Sequence, residues 1–116
     1  LEDLLLRIAR DWPEIQDIAI TENGAAYDEE PDSNGVVNDT RRVEYLESHL
    51  AAAGRAIQKG APLKSYYAWS LMDNFEWAEG YNKRFGLVHV DFKTLKRTIK
   101  NSGKAYSRII GASRQA

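Results

Sequence analysis

Cysteine is absent from these 116 residues. Neither a disulfide framework nor a thiolate metal site is available, and the compartment stays open, with the cytoplasm favoured. A dominant charge is lacking as well, because 16 basic side chains against 17 acidic ones leave a net charge of −1. Nothing in that balance would draw nucleic acid or an anionic membrane, so neither is expected as a partner. No run is long and apolar enough to span a bilayer, and no signal peptide is visible. Asp28, Glu29, Glu30 and Asp32 fall close together but lack the alternating spacing and terminal glutamate of a calcium loop. A solvated acidic loop is the expectation, with no metal and no cofactor. The single methionine is internal, and Leu1-Glu2-Asp3-Leu4-Leu5 has helical spacing with no capping residue before it, as a fragment would.

What is present, at 43% hydrophobic residues, would suffice for one small core. Leu4, Leu5, Ile8 and Trp12 predict one face of a helix closed by Pro13. Asp17 to Ile20 then reads as a short buried parallel strand, with Glu22 just past its end. Residues 25–38 are rich in acids and turn formers and read as a surface loop. Asp39 or Thr40 can cap a helix whose stripe is Val43, Leu46, Leu50, Ala53 and Ile57, ending at Gly60. Arg41 and Arg42 are expected to face water on that helix, and His49 to be packed or solvated. Its alanine-rich middle permits close approach to a sheet. Leu63 to Leu71 follows Pro62 as the second strand. Phe85 to Phe92 reads as extended, with Asp91 in a turn and no chemical role for His89. The basic stretch 94–100 reads as a solvated linker, Ser102 as the cap of a last helix, and Ala112 to Ala116 as frayed.

Two stretches stand out chemically. Trp69-Ser70-Leu71-Met72-Asp73-Asn74-Phe75-Glu76-Trp77, continued by Gly80-Tyr81-Asn82-Lys83-Arg84-Phe85-Gly86-Leu87, combines large aromatics with a carboxylate and amides. That mix suits a sugar, whose C–H faces an aromatic ring can cover and whose hydroxyls a carboxylate and an indole N–H can orient. The second stretch is Thr21-Glu22-Asn23-Gly24, directly after a strand. Singly, aromatics among apolar neighbours are more often core, and a lone Glu-Asn-Gly is more often a turn. Together they place chemistry at two strand ends, where the active sites of α/β barrels form.

Thr21-Glu22-Asn23-Gly24 after Ile20, the run Trp69 to Trp77, and Arg84-Phe85-Gly86-Leu87 with Val90-Asp91 resemble the C-terminal part of a family 1 glycoside hydrolase of the β-glucosidase type. The likeness covers nearly the whole chain, and Met72 stands where leucine is more usual, a volume-conserving change. It implies an α/β fold, the last two βα units of a (β/α)8 TIM barrel. Residues 1–116 would then be the C-terminal segment of a single barrel domain. A complete barrel needs about 250 residues, so an N-terminal portion is the implied partner. The resemblance makes Glu22 the nucleophile of a retaining mechanism, and places the acid/base glutamate in an Asn-Glu-Pro motif that this sequence lacks. It gives Glu76 the hydroxyls at C4 and C6 of a terminal β-linked sugar, Trp77 the hydroxyl at C3, Trp69 the floor and Phe85 the side of the subsite. Relatives acting on 6-phosphorylated sugars carry serine at the Glu76 position, lysine at Lys83 and tyrosine at Phe85. Only Lys83 fits them, so an unphosphorylated small glycoside or oligosaccharide is expected.

Two other readings use the same residues. A non-catalytic carbohydrate-binding module would use Trp69, Trp77 and Phe85 as a platform, but it leaves Glu22 in its tetrapeptide without a role. A purely structural barrel piece leaves both Glu22 and Glu76 unexplained.

Overall fold

The computed structural model describes residues 1–113. In chain order the elements are α1 (Glu2–Asp11), β1 (Ile18–Asn23), α2 (Thr40–Gln58), β2 (Leu63–Ala68), a single 3-10 turn at Trp77–Glu79, β3 (Val88–Val90), β4 (Arg97–Ile99) and α3 (Asn101–Ser113). They form two compact units, Leu1–Asn23 with Glu47–Ala68, and Gly24–Leu46 with the chain from Trp69 onward. Among the described residues, no helix is long and apolar enough to cross a membrane.

The first unit is built by apolar burial. α1 carries Glu2 and Asp3 in its first turn and Arg10 in its last, the placement that the helix dipole favours. The chain leaves helical geometry at Trp12, because the residue before a proline is disfavoured in the α region. Its buried face matches the expected one at Leu5 but not at Leu4 or Trp12. Leu5 is buried with Leu1, Leu6 and Ala9 beside it, whereas Leu4 and Trp12 are more than half exposed. The partners decide this, since Ala53 and Ala56 of α2, with Ala61 and Leu63, complete the cluster around Leu5. Ile57, expected on the buried stripe of α2, is 50% exposed, and Ala56 occupies the inward position instead. Alanine lets the helix come close, as its composition suggested. α2 ends in a Schellman motif: Gly60, at φ 98°, donates to the Ile57 carbonyl and Ala61 donates to that of Ala56.

β1 and β2 pair in parallel, with Ile18 opposite Leu63, Ile20 opposite Tyr66 and Asn23 opposite Ala68. The parallel pairing agrees with expectation, but two details do not. β1 extends through Asn23, so Glu22 lies within the strand and not past it. Ala19, Thr21 and Glu22 are also exposed, so the strand is only half covered. β2 stops at Ala68 and does not reach Leu71.

The second unit is built around buried charge. β3 and β4 form an antiparallel hairpin, with His89 opposite Thr98, so residues 97–99 are a strand and not part of a linker. The turn is held by Asp91, whose carboxylate accepts from Lys93 N (2.9 Å) and Thr94 Oγ1 (2.8 Å). Lys100, expected in solvent, is fully buried. Arg42 is buried too, with Nη1 donating to Asp39 Oδ2 at 2.7 Å and Nη2 to the Arg84 carbonyl at 2.6 Å. Asp39 stands before α2, and its carboxylate also accepts from the backbone N–H and hydroxyl of Ser102. Ser102 is therefore the second residue of α3, not its cap, and Asp39 caps α3 from 63 positions away. The acidic loop is less solvated than expected, because Val37 is fully buried and Glu29 and Glu30 are in ion pairs. Ala112 and Ser113 are helical; of the expected frayed end, residues 114–116 lie outside the described residues.

Candidate functional site

The residues after β2 are held largely by backbone hydrogen bonds. Ser70 N donates to the Phe85 carbonyl (3.1 Å) and Leu87 N to the Ser70 carbonyl (2.9 Å), which sets Trp69 and Phe85 on neighbouring segments. Asn74 Nδ2 donates to Ser70 Oγ (3.1 Å), tying the start of the loop to the same point. Glu76 N donates to the Gly80 carbonyl at 2.7 Å, and the 3-10 turn between them closes with Gly80 N on the Trp77 carbonyl at 3.0 Å. This small closed loop presents Glu76 and Trp77. Trp77 has φ 45°, a left-handed geometry that costs a non-glycine residue energy, and its side chain is 84% exposed. An indole held out in a strained backbone has not been placed there by burial.

Glu76 is half-buried, and its Oε1 is shielded from solvent without a hydrogen-bond partner among the described residues. A shielded carboxylate oxygen is costly unless a donor meets it. Trp69 is 38% exposed and Phe85 is half-buried, so both rings keep accessible surface. Beside them Phe75 meets Tyr81 edge-on at 5.5 Å, and Tyr81 meets Phe92 at 4.5 Å. Trp69, Glu76, Trp77 and Phe85 all belong to the second unit.

Glu22 belongs to the first unit, where it is the exposed penultimate residue of β1. The next residue, Asn23, accepts a 2.6 Å hydrogen bond from the Tyr66 hydroxyl of β2, which fixes the strand end on which Glu22 stands. Gly24 has a separate requirement. A Cβ there would collide with the Trp69 carbonyl, so the backbone at position 24 passes that at position 69 in close contact.

Beneath the loop lies Asp73, buried and not singled out by the sequence. Oδ1 accepts from Gly86 N and Lys100 Nζ, each at 2.9 Å, and Oδ2 from Arg84 Nη1 at 2.8 Å and Val90 N at 3.3 Å. Burial alone would raise its carboxyl, but the Lys100 hydrogen bond and charge, followed by Arg84 and the Gly86 N–H, hold it below the ordinary carboxylate value. Burial pushes the Lys100 ammonium below the usual lysine value, with Asp73 opposing. Arg84 also pairs with Glu30 (3.1 Å), which meets His89 Nε2 at 2.9 Å. Sequence reasoning gave His89 no role, named Asp39 only as a possible cap of α2 and Arg42 only as a water-facing residue, and did not single out Asp73, Lys100 or Tyr66. The only local signal was the Asp39-Arg42 spacing of three on a helix start.

Two parallel strands joined through a helix, as β1, α2 and β2 are, form the repeating unit of (β/α)8 barrels. The chain belongs to glycosyl hydrolase family 1, whose family model matches residues 1–115. β-Glucosidase A of Acetivibrio thermocellus is 56% identical over 110 residues, which are 95% of this chain and 24% of that protein. The 6-phospho-β-galactosidase of Clostridium acetobutylicum is 43% identical over 94% of this chain and 23% of its own length. Among solved structures, the family 1 β-glucosidase of Thermotoga maritima in complex with isofagomine lactam superposes with a TM-score of 0.92 and 47% identity, over 95% of this chain and 25% of that one. The chain therefore spans about a quarter of the length of these relatives. The α/β fold is that of a barrel segment, as the two motifs led us to expect.

Proposed function

We propose that residues 1–116 are the C-terminal segment of a single (β/α)8 domain and work as part of a retaining β-glycosidase of the β-glucosidase type. Glu22 attacks the anomeric carbon, forming a glycosyl-enzyme ester as the aglycone leaves. The acid/base glutamate, supplied by an upstream portion of the barrel, protonates the leaving oxygen and then activates the water that releases the sugar. The two carboxyl groups of such a pair stand about 5–5.5 Å apart. Trp69 forms the floor of the subsite, Phe85 its side, and Trp77 donates to the C3 hydroxyl.

The observation that carries this reading is the shielded, partnerless Oε1 of Glu76 beside exposed aromatic rings. It fits an acceptor awaiting the C4 and C6 hydroxyls of a sugar. It also bears on substrate class. Family likeness reaches both β-glucosidases and a 6-phospho-β-galactosidase, so it does not choose between them. A carboxylate facing a phosphate in a site of reduced dielectric would repel it strongly, which favours an unphosphorylated glycoside.

The test is hydrolysis of a chromogenic β-glucoside by this chain alone, by the chain combined with an upstream family 1 segment, and by that combination carrying Glu22→Gln. Activity confined to the combination and abolished by Glu22→Gln is expected. Sugar binding by the folded chain alone, with an inactive combination, would replace this reading with a carbohydrate-binding module. A 6-phosphoglycoside as the better substrate would sink the assignment of Glu76.

A further inference from the structure

We infer that Asp73 is a positioning residue for the sugar subsite, clamping both ends of the loop that carries Glu76 and Trp77 and fixing Phe85 between two of its own donors. Residues 74–83 form that loop, and Asp73 stands immediately before it. Arg84 stands immediately after it and donates to Asp73 Oδ2 at 2.8 Å, so one carboxylate closes the loop at its base. Gly86 N donates to Oδ1 at 2.9 Å, and thus the residues on either side of Phe85 both bond to Asp73. The backbone of Asp73 adds a further tie, its N–H donating to the Val88 carbonyl at 3.0 Å. From the other side Arg42 Nη2 and Tyr27 N donate to the Arg84 carbonyl, at 2.6 and 3.2 Å. Arg84 Nη1 also donates to the Val90 carbonyl at 2.9 Å, which anchors the same guanidinium to β3.

Four donors converge on one buried carboxylate from residues 84, 86, 90 and 100, so its position is over-determined. This is a supporting shell of the kind that holds a binding constellation in place before the ligand arrives. A carboxylate needed only to neutralise Lys100 would not require bonds to Arg84 and Gly86 beyond the far end of the loop.

The inference rests on the proposed role of Glu76 at the C4 and C6 hydroxyls, and its test separates the two. The experiment uses β-glucosidase A of Acetivibrio thermocellus with its matching quarter replaced by this chain. It compares kcat and KM for 4-nitrophenyl β-glucoside and for the β-xyloside, which lacks the C6 hydroxymethyl group. Asp73→Asn should lower kcat/KM on the glucoside about 100-fold, as expected for a subsite misplaced by about an ångström, and on the xyloside about tenfold. The glucoside-to-xyloside ratio therefore falls about tenfold, whereas a mere loss of folded protein lowers both activities alike. Arg84→Lys keeps the charge beside Asp73 but loses the guanidinium fork. It should lower the ratio in the same direction and serves if Asp73→Asn does not fold. Glu76→Gln should lower the ratio on its own. A lowered ratio in Glu76→Gln with an unchanged one in the folded Asp73 or Arg84 variants overturns the positioning role. An unchanged ratio in Glu76→Gln overturns the reading of Glu76 itself.

Discussion

The two compact units use opposite physics. In the first, Leu5, Ala53, Ala56, Ala61 and Leu63 exclude water from a small apolar cluster, and its ion pairs, Glu2 with Arg55 and Lys59, lie at the surface. In the second, Asp39, Arg42, Asp73 and Lys100 are buried, and the segments are joined by charge-assisted hydrogen bonds. Apolar burial tolerates any side chain of similar volume, whereas a buried carboxylate demands donors at fixed positions. The difference suits their contents. The first unit carries Glu22 on a regular strand, and the second carries a long irregular loop between β2 and β3.

The sharpest way to break the comparison is to remove one buried charge. Asp73→Ala leaves Lys100 and Arg84 without their shared partner and should cost about 3–5 kcal/mol, read as a lowered urea midpoint in the hybrid enzyme. Retention of the midpoint would show that the charges are not buried there. Leu5→Ala in the first unit should cost about 2–4 kcal/mol from lost burial and a residual cavity. Leu5→Met, which conserves volume, should cost less than about 1.5 kcal/mol, and that rescue has no counterpart at Asp73. Ser102→Ala removes the hydroxyl from Asp39 but keeps the backbone N–H, so a loss of about 1 kcal/mol is expected in thermal unfolding.

The gentlest probe is pH. Because the folded Asp73 carboxyl lies below its ordinary value, the unfolded chain binds more protons as the medium is acidified. Its stabilisation is complete above about pH 4, the ordinary aspartate value, and is lost as pH falls through the lower folded value. Unfolding midpoints followed from pH 6 to pH 2 should decline in that acid window, and less steeply in Asp73→Asn. Equal slopes would assign the acid loss to other carboxylates.

Legibility in the sequence followed the same division. The helices, the parallel pairing of β1 with β2 and the two motifs were readable, because periodicity and turn chemistry are local. The buried face of α1 was legible only in part, since Leu5 belongs both to the expected stripe of Leu4, Leu5, Ile8 and Trp12 and to the one that packs, Leu1, Leu5 and Ala9, and only the partner helix selects between them. The segment 94–100 looked like a solvated linker because three of its seven side chains are basic and two more are threonines, yet β4 pairs with β3 and Lys100 turns inward to Asp73.

By itself the sequence determined the residues on offer: Glu22 next to a strand end, Glu76 among aromatics, and glycine at position 24. Tertiary structure decided which charges are buried and what each one holds. Asp39 caps a helix that begins 62 positions later, and Asp73 meets a lysine 27 positions away. Such pairings carry no local periodicity. They arise because a charge withdrawn from water must find its donors wherever the folded chain brings them, and that placement belongs to the fold as a whole.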